Sequence, residues 1–332
     1  MAHTALNDEE IEEFYDSPEE LEQKVTQLAD LIKRSRYFVV YTGAGISTSA
    51  GISDFRGPDG VWTRKAKGLE IKRGNWGNAQ PTICHMTLVA LVKMGKLKCV
   101  VSQNCDGLHI KSGIPPNKIC ELHGNTNVEA CSLCGEVYYR GFPVRQAHNP
   151  ACTTERFCEK CKNIPLRFTT VAFGQSMPDM CLQKAEDHAT EADLSLCIGT
   201  SMRVQPACNL PLLGHGNPGF NLVIINLQKT PYDSECSVRI FAKIDEVMLL
   251  LTKKLDIEIP HWEDLRLHED EKWMDLFKKN YQFRSAGSKD WFQGAHDGVD
   301  LKINCTRCAV LLKYPQGAKI IQCPKCFTKI QL

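Results

Sequence analysis

No apolar run in this chain of 332 residues approaches the roughly 20 needed for a helix to cross a bilayer, which argues against a membrane role. The N-terminus is acidic and has no apolar core, so it does not read as a secretory leader. An excess of one charge is missing too. The 40 Lys and Arg nearly cancel the 39 Asp and Glu, and the total says nothing about partners. No repeat recurs at a fixed period. A complete three-glycine dinucleotide turn followed by a ribose-binding acid is absent, which disfavours an ordinary dehydrogenase. No G-x-S-x-G elbow is present, which disfavours a serine hydrolase. Cysteine, by contrast, is plentiful at 17 residues. With no leader, these read as metal ligands in a reducing compartment rather than as disulfides.

The chain is organised around Phe38–Trp62. An apolar strand, Phe38 to Tyr41, breaks at Thr42-Gly43-Ala44-Gly45, and Ile46-Ser47-Thr48-Ser49-Ala50 follows as a helix start. A strand turning on glycines into a helix N-terminus suits a pyrophosphate. Gly43-x-Gly45 alone would fit any α/β turn. The continuation Gly51-Ile52-Ser53-Asp54-Phe55-Arg56-Gly57 adds an acid, an aromatic and a cation to the same loop.

Residues 8–22 hold nine acids and no base, and 1–17 read as an acidic, mobile arm. Leu21, Val25, Leu28, Leu31 and Ile32 then recur at helical spacing behind Ser17 as N-cap. The stretch 64–77 reads as a mobile, cationic loop. Helices follow at 85–94, 179–192, near Gln205 and at 244–255. Strands alternate with them at 98–102, 168–172, 194–198 and 222–226, which implies a parallel sheet covered on both faces. The fold class is therefore α/β, a doubly wound parallel sheet of Rossmann-like type. Residues 18–128 and 165–258 form it, and 129–164 are inserted. Within the insert, Cys131-x-x-Cys134 and Cys158-x-x-Cys161 supply four soft ligands suited to tetrahedral Zn2+. Cys152 is a fifth thiol able to displace one of them. Residues 259–301 read as a linker or a partly helical extension.

A second pair of motifs, Cys305-x-x-Cys308 and Cys323-x-x-Cys326, predicts a separate zinc ribbon over 302–332. It resembles the zinc finger of plant lesion-simulating-disease proteins, with Tyr314-Pro315 and Gly317-Ala318 between the pairs. Residues 301–332 carry six Lys or Arg and no acid. That charge suits nucleic acid or an acidic protein surface, and a stabilising or protein-binding module is equally open.

The blocks GAGIS, GISDFRG, Gln103-Asn104-Cys105-Asp106-Gly107-Leu108-His109 and Glu121-Leu122-His123-Gly124-Asn125, in this order, resemble the sirtuins, the NAD-dependent protein-lysine deacylases. Val61-Trp62-Thr63, Gln80-Pro81-Thr82 and Asn226-Leu227-Gln228 are similar to their class IV branch. The resemblance covers about residues 18–260. It implies that NAD is consumed, with the acyl group of a lysine moved to ADP-ribose and nicotinamide released. His123 would be the general base, Asp106 would bind the nicotinamide carboxamide, Asn104 the ribose or a water, and Gln103 the ribose hydroxyls. Ala44, Gly45 and Thr48 would line the pyrophosphate turn, Asp54 would bind the cofactor, Phe55 would shield the reacting carbon and Arg56 would meet phosphate. Trp62, Gly199, Thr200 and Ser201 would complete the cofactor site. Asn226 and Gln228 would take the adenine ribose, and Ile244 the adenine. The first zinc would be structural. Val171-Ala172-Phe173-Gly174 resembles the segment that pairs with an extended acyl-lysine peptide, such as a histone tail. Gln175 and Ser53 depart from the family's usual Glu and Pro, which leaves acyl preference open. Class IV resemblance implies a nuclear protein, with the cytoplasm as the alternative. Mono-ADP-ribosylation in the same pocket, or an NAD-responsive scaffold on chromatin, are the other readings.

Overall fold

The computed structural model describes residues 9–71, 74, 76–144, 153–172, 174–262 and 271–281. Beyond these it describes only the backbone of 301–304, 311–314, 320–322 and 329–331. In chain order, helix α1 (Pro18–Arg34) precedes strand β1 (Phe38–Thr42), a 3-10 turn (Ala44–Ala50), α2 (Val61–Ala66), α3 (Ile83–Lys93) and β2 (Leu97–Ser102). Next come α4 (Leu108–Lys111), β3 (Ile119–Glu121), β4 (Val128–Cys131), β5 (Val137–Tyr139), β6 (Thr153–Phe157) and β7 (Pro165–Phe168). They are followed by α5 (Asp179–Glu191), β8 (Leu194–Ile198), β9 (Asn221–Ile225), β10 (Val238–Ile240), α6 (Ile244–Leu255) and α7 (Glu271–Asn280). Four short strands close the chain: β11 (Leu301–Asn304), β12 (Leu311–Tyr314), β13 (Ile320–Gln322) and β14 (Lys329–Gln331).

Six strands form one parallel sheet in the order β10-β9-β8-β1-β2-β3. Read from the other edge, this is the doubly wound order 3-2-1-4-5-6, whose direction of winding reverses between β1 and β8. Both faces are covered. All five residues of β1 and of β8 are buried, so each strand reads as an unbroken apolar run with Thr42 and Ser195 as its polar members. One face packs on α1, α3 and α6 and the other on α5 and the 210–216 turn.

α1 starts on the expected cap. Ser17 accepts from the Glu20 amide, and the Glu20 carboxylate accepts from the Ser17 amide, so two orphan donors are satisfied. Its face of Leu21, Val25, Leu28, Ala29 and Ile32 is buried, each large side chain contributing about 1.5–3 kcal/mol.

Four expectations need correction. The helix start after Gly45 is a 3-10 turn rather than an α-helix, because it is pressed onto the turn after β8. The strand expected at 168–172 ends at Phe168 and lies outside the parallel sheet. It is β7, an antiparallel strand between β4 and β6 in a second sheet, β5-β4-β7-β6. The acidic arm is docked over its described part. Phe14 donates its amide to the Leu227 carbonyl (2.9 Å) and Asp16 to that of Phe241 (2.8 Å), while Ile11 is buried. Near Gln205 the chain forms turns and then a 3-10 helix (Leu210–Gly216).

The extension after α6 is helical at α7 and buries Trp273 and Phe277 in the main core. At the C-terminus β11 pairs antiparallel with β12, and β13 with β14. Cys305, Cys308, Cys323 and Cys326 lie outside the described residues, as do Cys152, Phe173, Lys72 and Arg73. Among the described residues, no helix is long and apolar enough to cross a membrane.

Candidate active site and zinc module

Doubly wound sheets carry ligands at the C-terminal strand ends where the winding reverses. Here the turns after β1 and β8 meet backbone to backbone. Gly45 donates its amide to the Gly199 carbonyl (2.9 Å), and Gly43 donates to that of Ile198 (3.0 Å). A Cβ on Gly43 would fall 2.6 Å from the Gly199 oxygen, and one on Gly45 2.7 Å from the Gly199 Cα. Only glycine allows this approach. Those two amides and that of Ile46 are engaged within the chain, and polar side chains around the cradle offer further donors for phosphate.

Those side chains converge. Gln103 donates to the Thr200 hydroxyl (3.1 Å), and Arg56 reaches the Ser201 hydroxyl at 3.5 Å. The Arg56 guanidinium stacks 4.4 Å over Trp62, whose ring also lies 5.2 Å from that of Phe55. Burial, and then the nearby Arg203, lower the Arg56 pKa. Asp54 turns inward to accept from the Gly57 amide (3.1 Å), and Thr48 donates to the Gly45 carbonyl (3.0 Å). Ala44 is half-buried at the start of the same turn.

After β2, Asn104 donates its side-chain amide to the Gly43 carbonyl (3.0 Å). Asp106 accepts from the Ser47 hydroxyl (2.7 Å) and the Leu108 amide (2.9 Å), and burial raises its pKa. After β3, the His123 Nδ1 lies 2.7 Å from the Gln103 carbonyl oxygen. A carbonyl only accepts, so Nδ1 carries the proton and Nε2 keeps its lone pair. Burial lowers the His123 pKa, so the ring stays neutral near neutral pH. After β9, Asn226 donates to the Gln228 carbonyl (2.9 Å), and Gln228 donates to the carbonyls of Arg56 (3.0 Å) and Ile11 (3.3 Å). Ile244 opens α6, beside Asp245, which accepts from Ser49 (2.7 Å) in the turn after β1.

The segments after β1, β2, β3, β8 and β9 carry the described residues expected at the cofactor site except Ile244, which follows β10. Sequence reading missed four participants. Ser47 holds Asp106 and sits inside a motif already noticed. Arg203 lies near Arg56 and pairs with Glu10 of the arm at 3.1 Å. Glu121 and Tyr281 join beneath the His123 loop, and no local pattern announces that pairing.

In the second sheet, the sulfur atoms of Cys131, Cys134, Cys158 and Cys161 all lie within 4.8 Å of one another. Two of the separations are 3.9 Å (Cys131 to Cys161) and 3.7 Å (Cys134 to Cys158). A tetrahedron with zinc–sulfur bonds of about 2.3 Å has sulfur–sulfur edges of about 3.8 Å. The donor set fits zinc and closes it, with no position left for a reacting water. Beside it Glu129, fully buried, takes Arg140 at 2.6 Å and Arg156 at 2.7 Å, so its charge is paired.

A family model described as the Sir2 family matches residues 69–206, and one described as the LSD1 zinc finger matches 305–328. The NAD-dependent protein deacetylase SRT1 of Arabidopsis thaliana is 42% identical over 259 residues, 77% of this chain and 54% of that protein. Human NAD-dependent protein deacetylase sirtuin-7 is 40% identical over 276 residues, 76% of this chain and 66% of its own. The chain therefore spans about half of the first relative and just under two thirds of the second. A solved structure of Sir2 with a p53 peptide and NAD+ is 30% identical with a TM-score of 0.53, and the match covers 69% of this chain and 97% of that one. The sheet order, the glycine cradle and these likenesses agree: the chain belongs to the Sir2 family.

Proposed function

We propose that this protein is an NAD-dependent protein-lysine deacylase. The observation that carries the reading is the placement of a neutral imidazole, His123 with Nε2 unprotonated, beside the glycine cradle between β1 and β8. Bound in that cradle, NAD supplies the ribose carbon that accepts the acyl oxygen as nicotinamide leaves. His123 is the general base. Its Nε2 takes a proton from a ribose hydroxyl while Nδ1–H stays on the Gln103 carbonyl, which fixes the ring. Asn104 keeps its side-chain oxygen as an acceptor because its amide nitrogen is spent on Gly43. Asp106, anchored by Ser47 and the Leu108 amide, holds the carboxamide. Arg56 neutralises phosphate, with Thr200, Ser201 and Gln103 donating to phosphate or ribose. Phe55, at the exposed rim, shields the reacting centre from water. Gly45, Ala44, Thr48, Asp54, Trp62, Gly199, Asn226, Gln228 and Ile244 shape the walls.

The acyl-lysine peptide lies along Val171–Gly174. Val171 donates its amide to the His123 carbonyl (2.9 Å), which sets the start of this segment beside the proposed base. Gln175 closes its turn by accepting from the Ala172 amide (2.7 Å). Histone tails in the nucleus are the proposed substrate class. Zinc at Cys131, Cys134, Cys158 and Cys161 braces the framework, and Cys305, Cys308, Cys323 and Cys326 would hold a second ion in a ribbon whose cationic composition suits nucleic acid or an acidic protein surface.

The test is incubation with NAD and acylated histone peptides of several chain lengths, following nicotinamide and O-acyl-ADP-ribose for wild type and His123→Ala. Both products are expected from wild type alone. Acyl loss that proceeds equally without the dinucleotide would sink the reading.

A further inference from the structure

His123 sits in a loop that is held from beneath by a residue far outside the cofactor motifs. Glu121 ends β3 fully buried, and its main-chain carbonyl accepts from the Gly124 amide (3.0 Å). Its carboxyl accepts from the Asn125 side-chain amide at both oxygens (3.0 and 2.9 Å) and from the Tyr281 hydroxyl. Asn125 is fixed in turn, its amide on the Thr169 hydroxyl (3.2 Å) and its carbonyl accepting from the same group (3.0 Å). Gly124 leaves no slack. Its φ is +71°, and a Cβ there would lie 2.0 Å from the Thr169 carbonyl oxygen.

Tyr281 arrives on α7. Trp273, Phe277 and Tyr281 recur every four residues and line one face. Their rings stack at 5.4 and 4.5 Å, and Tyr139 of β5 meets the first two edge-on at 5.5 and 5.6 Å. All three are buried, so the helix end is seated and the Tyr281 hydroxyl is held against the Glu121 carboxyl.

We infer that Tyr281 is a positioning residue for His123, acting through Glu121 and Asn125, and that α7 is a working part of the acyl-transfer site. A buried carboxyl needs its hydrogen-bond sites filled. Asn125 reaches both oxygens and Tyr281 reaches Oε2, which ties together the residues two positions before and two after His123. Without the hydroxyl the carboxyl must find another donor, and the loop moves with it. This inference rests on the deacylase reading for its kinetic consequence, but not for its structural one.

The experiment compares wild type, Tyr281→Phe, Glu121→Gln, the double variant and the exposed neighbour Lys279→Ala. Two readouts are used: kcat and KM for NAD, and the His123 ring resonances with their titration midpoint in protein without dinucleotide. Tyr281→Phe keeps the ring and removes one oxygen. It should lower kcat by roughly tenfold to a hundredfold, the loss expected when a catalytic group is misplaced by a fraction of an ångström or more, with KM nearly unchanged. It should also shift the His123 resonances and their midpoint. Glu121→Gln should act in the same direction, the double variant should add little, and Lys279→Ala should match wild type. A merely structural tyrosine would lower the melting temperature and leave kcat and the His123 signals alone, which overturns the inference. If wild type releases no nicotinamide, the deacylase reading fails by itself, and the His123 signals in the free protein still decide the coupling. If Tyr281→Phe does not fold, Glu121→Gln decides by the same two readouts.

Discussion

Glu121 makes stability depend on pH in an unusual direction, and the size of the effect can be worked from its surroundings. Burial pushes its pKa up to about 8 from an ordinary 4.5, with the bonds from Tyr281 and Asn125 pulling the other way and the charge of Asp106 adding a little. Below pH 4.5 the carboxyl is protonated in both folded and unfolded chains, and it contributes no difference. From there to pH 8 the unfolded chain releases this proton and the folded chain retains it. Stability therefore falls as pH rises across that window and levels off above it. At about 1.4 kcal/mol per pH unit, the full window amounts to about 5 kcal/mol. Glu121→Gln cannot ionise, though its amide nitrogen replaces one of the two oxygens that accept from Asn125 and Tyr281. Whatever its offset near pH 5, it should gain on wild type progressively toward pH 8.5, because it does not share the wild-type fall. Urea unfolding of both proteins at half-unit pH steps measures it. Parallel curves, with a constant gap between the two proteins, would refute the reasoning.

Other expectations follow from the same contacts. Burial lowers the His123 pKa from its ordinary 6.5, so the acid limb of kcat/KM should fall below that value, as a pH profile would show. Gly45→Ala forces a Cβ to within 2.7 Å of backbone that cannot yield, and should cost about 1–3 kcal/mol in unfolding experiments as well as weakening NAD binding in a calorimetric titration. Cys158→Ser should lower the zinc content by one ion per chain by elemental analysis. It should also slow deacylation, since β4 and β7 lead into the segments that flank His123 and the loss spreads along them.

The parallel sheet was legible because its strands are buried on both faces, so Phe38–Tyr41 and Leu194–Ile198 stand out as apolar runs ending in glycine or a small polar residue. α6 was legible to the residue, since Asp245 and Glu246 open it and Lys253 and Lys254 close it, as the helix dipole favours. Thr169 to Ala172 misled because β-branched residues suggest a strand. There the Thr169 hydroxyl serves the carbonyls of Asn125 and Val128 instead of lining a sheet. The arm misled for a different reason. Nine acids hide Ile11 and Phe14, whose spacing is too short to register as a period, and only the tertiary seat near Leu227 and Phe241 shows why they are apolar. The sequence motifs propose the site residue by residue, but not the contacts that hold those residues. Glu121 and Tyr281 are 160 positions apart, and nothing local to either specifies the other.

The two segments that sequence reading left loosest reach opposite flanks of the cradle. On one side the arm sends the Ile11 carbonyl to Gln228, whose amide also serves the Arg56 carbonyl, and sends Glu10 to Arg203. On the other, α7 delivers Tyr281 to the carboxyl beneath His123. Central motifs place the reacting groups to within a loop's freedom, and a loop's freedom is too much for proton transfer, which requires heavy atoms about 2.6–3.2 Å apart. Narrowing it requires contacts from outside the loop. In this chain those contacts come from stretches whose composition suggests tail and linker, so the segments that determine precision are those a motif search would trim first.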